Sequence, residues 1–119
     1  MKNYKNKLTA GILRSSQIYT YRTKDSRAYF QFSYVWMSGG YYEIDIHKCP
    51  NYNGRNDSPS VAHWLNSSRS TTRKICFHAN KEPKTLDIAQ KFSKHWAELT
   101  WEYIRTGVTI DEQFRRTNN

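Results

Sequence analysis

The chain has 119 residues, a formal net charge of +9 and 15% aromatic residues, with nine Tyr and four Trp among them. That length holds one core and is too short for two; the aromatic content argues against a largely disordered chain, and no apolar run approaches the roughly 18 residues of a membrane helix. Two cysteines make no disulfide framework, and no apolar stretch follows the basic N-terminus as it does in a signal peptide, so the expectation is a cytoplasmic, soluble protein with free thiols.

The charge is unevenly placed. Residues 1–27 carry seven basic side chains against one acid, Asp25, and residues 51–81 carry Arg55, Arg69, Arg73, Lys74 and Lys81 against Asp57. Residues 28–50 and 82–119 are close to neutral. A localised excess of this kind predicts an anionic partner.

In chain order, residues 1–16 read as a basic arm, with only Leu8, Ile12 and Leu13 to anchor it. Gln17 to Arg22 reads as a strand with Tyr19 and Tyr21 on one face, followed by a turn at Lys24-Asp25-Ser26. Tyr29 to Trp36 alternates: Phe30, Phe32, Tyr34 and Trp36 share one face, and Tyr29, Gln31, Ser33 and Val35 share the other. Gly39-Gly40 predicts a turn into a return strand, Tyr41 to Cys49. Its apolar face holds Tyr42, Ile44 and Ile46, and its polar face Tyr41, Glu43, Asp45 and His47. Pro50 ends that strand. Residues 50–73 then read as a long loop, with Val61, Trp64 and Leu65 as its only anchors and a helical turn after Ser58-Pro59-Ser60. Lys74 to His78 predicts a short strand with Ile75 and Phe77 inward. The last element is a helix with Thr85 as N-cap, Asp87 in its first turn and Gly107 as C-cap. Its predicted buried stripe is Ala89, Phe92, Trp96, Leu99 and Tyr103. Residues 108–119 read as a polar tail. The expected fold class is α+β: one domain over 17–107, with a small antiparallel sheet of three to four strands and one long C-terminal helix on its apolar face.

Two stretches combine cations with groups that bind nucleic acid. In the first, Arg14, Tyr19, Tyr21, Arg22 and Arg27 interleave positive charge with rings, flanked by Tyr4 and Tyr29. Cations neutralise phosphates and rings stack on unpaired bases. In the second, Arg55, Arg69, Arg73 and Lys74 stand among small hydroxyls and amides suited to phosphate oxygens. The spacing of a nucleotide-binding P-loop is absent.

Three further groupings are chemically sensible. His47 and Cys49, with Cys76 and His78, make two His-x-Cys-type pairs that would form a zinc site if their strands were neighbours, although the Cys-x2-4-Cys spacing of structural zinc is missing. Glu43, Asp45 and His47 on one strand face are a donor set for Mg²⁺ or Mn²⁺ in phosphodiester cleavage. Cys76 with His63 or His78 is the one pairing open to a cysteine nucleophile. The bland counterparts are half-buried thiols, surface histidines and solvated acids.

Lys74-Ile75-Cys76-Phe77, Pro83-Lys84-Thr85, Ala89 and Trp96 resemble the end of AP2-type DNA-binding domains, including the arm-binding domains of some integrases. There a three-stranded sheet leads into a helix, and sheet side chains enter the major groove. The resemblance covers the last strand and helix; the long loop before Lys74 and the first strands depart from it. The same segment also resembles the catalytic-cysteine region of ubiquitin-conjugating enzymes, without their His-Pro-Asn element.

The leading expectation is a protein that binds nucleic acid, DNA or RNA, without chemistry or cofactor, its arm and loop contacting phosphate. The alternative is a protein-binding factor, an inhibitor or accessory subunit that docks on a larger protein or ribonucleoprotein, since Tyr, Trp and Arg also dominate protein interfaces. A metal-dependent nuclease is third.

Overall fold

The computed structural model describes residues 17–69 and 73–117. The arm 1–16, with Arg14, and residues 70–72 lie outside the described residues. Three consecutive strands, β1 (Tyr19–Arg22), β2 (Tyr29–Met37) and β3 (Tyr41–Lys48), form two hairpins. The first closes on a Thr23–Ala28 backbone bond with Ser26 at positive φ. The second closes where Gly40 N–H donates to Met37 O, with Gly40 at φ 88°. Two short strands, β4 (Trp64–Asn66) and β5 (Arg73–Ile75), complete a five-stranded antiparallel sheet in the order β1-β2-β3-β5-β4.

The sheet has one face made for a helix. Phe30, Phe32 and Ile44 are fully buried there, and Ile46 and Ile75 nearly so. Helix α2 (Leu86–Thr106) crosses this face. Its start is set by Thr85, whose Oγ1 accepts from Ile88 N–H, and its end by Gly107 in the left-handed region. Ala89 and Ala97 lie fully buried, small side chains that let the helix approach closely. Trp96 fills the centre, edge-on to both Phe30 and Phe32, and its indole N–H donates 3.0 Å to Ala62 O.

The structure is the α+β fold expected, with five strands among the described residues where three to four were predicted, β4 being the addition. That strand comes from the stretch read as a long loop, which also holds the helical turn expected after Ser58-Pro59-Ser60, α1 (Pro59–Ala62). Three residues, Trp-Leu-Asn, are too few to show alternation; β4 exists because β5 offers it an edge. A second helix, α3 (Ile110–Thr117), forms within the tail. Its buried Ile110 joins the core, Thr109 Oγ1 accepts from Glu112 N–H, and Asp111 bonds the His63 ring.

The helix stripe is also corrected. Ser93, Ala97, Thr100 and Ile104 are buried with Ala89, Trp96 and Tyr103, whereas Phe92 is 38% exposed. The hydroxyls of Ser93 and Thr100 hid the true stripe from a hydrophobicity pattern, and Phe92 drew it to one side. Tyr34 donates to or accepts from Ser93 Oγ at 2.7 Å, which explains one buried hydroxyl.

One irregularity changes which side chains share a face. Phe32 pairs with Ile46 but Gln31 pairs with Lys48, so β3 carries an extra residue at His47. A β-bulge of this kind reverses the alternation beyond it. Lys48 therefore joins Tyr29 on the face away from α2, and Cys49 packs against the core.

Candidate nucleic-acid interface

The β1–β2 turn and the last turns of α2 meet at one end of the molecule. Asp25 in that turn accepts from the Trp101 indole N–H at 2.8 Å, from Thr23 Oγ1 at 2.7 Å and from Arg27 N–H at 2.9 Å. The indole bond, more than any other contact, holds the Asp25 carboxyl down at about 2, with the Arg27 and Thr23 bonds next. Glu98 on α2 completes the clasp, accepting from Lys24 N–H at 2.9 Å and from Tyr21 Oη. Burial, then that Glu98 bond, pushes the Tyr21 phenol up to about 12.

A second loop reaches the same place from another direction. Residues 52–55 make a tight turn, with Asn53 and Gly54 at positive φ and Arg55 N–H donating to Tyr52 O. The Tyr52 ring packs on Tyr103, and Tyr103 Oη donates to Asn56 O, which fastens this turn to α2. Arg55 Nε then donates to Ile104 O, and its guanidinium lies over Gly107. Here the absence of a Cβ matters: one built on Gly107 would stand 2.8 Å from Arg55 Nη1.

The result is an open cleft of about 520 Å³ lined by Arg27, Asn53, Arg55, Trp101, Ile104 and Arg105. Arg27 sits 5.8 Å over the Trp101 ring. Asp25 and Glu102 stand beside Arg105, so the three guanidiniums exceed the acids by one. Guanidiniums present fork-shaped donors to phosphate, and an indole offers a stacking surface.

Around the sheet edge from the cleft, on the face away from α2, Tyr29 stands between two cations. Lys48 Nζ is 5.6 Å and Arg22 Cζ 5.9 Å from its ring centroid. The structure thus brings Arg22, Arg27 and Arg55, all expected to meet phosphate, to one end of the fold.

The other expected residues have different surroundings. Tyr19 packs edge-on against Tyr34, and Tyr21 against the core. Arg69 is bound to Asp45 and Glu43 at 2.8 Å each, and Lys74 to Glu43 at 2.9 Å. Burial raises the Glu43 carboxyl, but the Lys74 and Arg69 bonds outweigh it and leave the group below its ordinary value. Arg73 stacks 3.8 Å over the Trp64 ring and pairs with Asp57 at 3.6 Å. In the described structure these loop cations meet carboxylates of the chain itself.

The metal groupings do not assemble among the described residues. Asp45 faces Lys74 across β3 and β5. That antiparallel register carries His47 and Cys49 one way along the sheet and Cys76 and His78 the other, and the bulge turns Cys49 to the core side. His47 Nε2 is 2.7 Å from Ser33 Oγ instead. Among the described residues no group of three His, Cys, Asp or Glu is placed to hold a metal ion. The His63 ring bonds Asp111, and its backbone carbonyl accepts from Cys76 N–H.

Sequence reasoning missed Trp101, Arg105 and Lys48. Trp101 and Arg105 stand four apart on α2, beside the buried stripe, where Trp101 packs against the edge of the core; an aromatic outside the predicted stripe was the available signal. Lys48 became legible only with the bulge. No family model matches the chain, and no curated protein or solved structure matches it.

Proposed function

We propose that this protein binds nucleic acid through the end of the fold where the β1–β2 turn, the 52–55 turn and the C-terminal half of α2 meet. One observation carries the reading: Arg27 and Arg55, far apart in sequence, line a single cleft with Arg105 and Trp101. Clustered arginines beside a half-buried indole suit a ligand with phosphates and a base. Cations of both regions meet carboxylates of the chain, Arg27 and Arg105 meeting Asp25 and Glu102 as Arg69, Arg73 and Lys74 meet Asp45, Asp57 and Glu43; the reading puts phosphate contact at the cleft because three guanidiniums share it with two acids and Arg55 there bonds a backbone carbonyl.

Fluorescence anisotropy with labelled DNA and RNA over a salt series tests this. Affinity falls steeply with salt, and Arg27→Ala with Arg55→Ala weakens binding across sequences and flattens the slope of log K on log salt by roughly two. Absence of binding at low salt overturns the proposal.

A second reading, docking on a larger protein, is favoured by the opposite end of the sheet. Trp36 is 56% exposed and meets Tyr42, while Phe92 and Ile88 lie exposed on α2 beside Phe77. A partner retained from nuclease-treated lysate by the wild type, and lost with Trp36→Ala, would support it.

A further inference from the structure

We infer that the nucleic acid is single-stranded, with an unpaired base stacked on Tyr29 and its flanking phosphates held by Arg22 and Lys48. This rests on the reading above and narrows it to a substrate class. Tyr29 is 37% exposed on the sheet face that no described helix covers. Its neighbours on that face are polar: Gln31 donates to Thr20 Oγ1 at 3.2 Å, and Arg22 lies opposite Tyr29 in the β1–β2 register. The bulge at His47 is what brings Lys48 to the same ring.

A ring with a cation on either side is a stacking platform with its phosphate ligands in place. Exposed cation–π contacts are weaker than the stacking of a base on an aromatic side chain. A base therefore displaces the two cations from Tyr29, and the released ammonium and guanidinium meet the phosphates on either side of it. Arg27, two residues before Tyr29, belongs to the cleft with Arg55, Arg105 and Trp101, so a strand leaving Tyr29 toward the β1–β2 turn meets a further guanidinium.

A duplex fits this surface less well. Its bases are already stacked and offer Tyr29 nothing. The 66–69 segment also stands on this face, with Arg69 reaching Asp45, Glu43 and Met37 Sδ, and obstructs a wide rod laid on the sheet. What is left beside it is the outer face of β1 and of the Tyr29 end of β2, with Lys48 at the end of β3; adjacent strands are spaced about 4.8 Å apart, so this strip is a width suited to one strand.

The test compares labelled single-stranded and duplex oligonucleotides of one sequence, as DNA and as RNA, against wild type, Tyr29→Ala and Tyr29→Trp. Each variant's fold is checked by its melting temperature. Wild type is expected to bind the single strand at least about tenfold tighter than the duplex. Tyr29→Ala loses roughly tenfold on the single strand with an unchanged salt slope, because the ring carries no charge, and Tyr29→Trp retains affinity. Equal or tighter duplex binding, or full single-strand affinity in a folded Tyr29→Ala, overturns this inference and leaves the nucleic-acid reading standing. Failure of both probes at low salt overturns the two together.

Discussion

Arg69 grips Asp45 with two parallel bonds, Nε to Oδ2 and Nη2 to Oδ1, each 2.8 Å long. The same Nη2 reaches Glu43 Oε1, and Lys74 closes on the other Glu43 oxygen. The Asp45 side chain is 4% exposed, and Arg69 is the guanidinium that meets it there. Two expectations about one segment meet here: the acids read as solvated or metal-binding, and the cations read as a phosphate grip, are partners of each other.

Removing Arg69 leaves a buried carboxylate without its main partner. Arg69→Ala should cost about 2–4 kcal/mol, toward the low side of the range for broken buried pairs because Arg69 is itself partly exposed. Urea midpoints read this directly. The pH dependence has a definite sign. Glu43 is held below its ordinary 4.5 in the folded state, so its contribution is present above that value and is lost as the pH falls through the lower, folded value. Wild-type midpoints should fall below about pH 4.5, and Arg69→Ala should start lower and fall less. A variant with the wild-type midpoint would show that the cluster is not structural.

Trp96 carries the second prediction. It is nearly buried, edge-on to Phe30 and Phe32, and its indole N–H bonds the Ala62 carbonyl, which ties α1 to α2. Trp96→Ala opens a cavity and orphans that carbonyl, for about 3–5 kcal/mol. Trp96→Phe keeps most of the packing and should cost less. A melting temperature for Trp96→Ala close to wild type would contradict this account of the core.

The elements that were legible in the sequence are those with a repeated signal. β2 announces itself by Phe30, Phe32 and Tyr34 at period two, and α2 by Thr85, Trp96, Tyr103 and Gly107. What was not legible depends on partners. β4 needs the edge of β5, the polar members of the α2 stripe need Tyr34 and the packing around them, and α3 needs His63 and the core beneath Ile110. The candidate site divides the same way. Arg22, Arg27 and Arg55 were visible as localised charge, but their company, Trp101, Arg105 and Lys48, comes from a helix end and a bulge that composition does not encode.

That bulge gives the last prediction. Strict alternation from Ile46 puts His47 and Cys49 on the outer face, as a zinc pair would require. With the extra residue at His47, Cys49 instead packs against the core, and burial above all pushes its thiol up to about 12, against an ordinary 9.0. At pH 8 roughly one thiol in ten thousand is then ionised, against about one in ten for an ordinary thiol, and the thiolate is the reactive form. Iodoacetamide labelling mapped by mass spectrometry should find Cys49 in the folded protein modified about a thousandfold more slowly than in denaturant. Labelling of folded Cys49 at the denatured rate would place the thiol outside the core, and the bulge with it would be wrong.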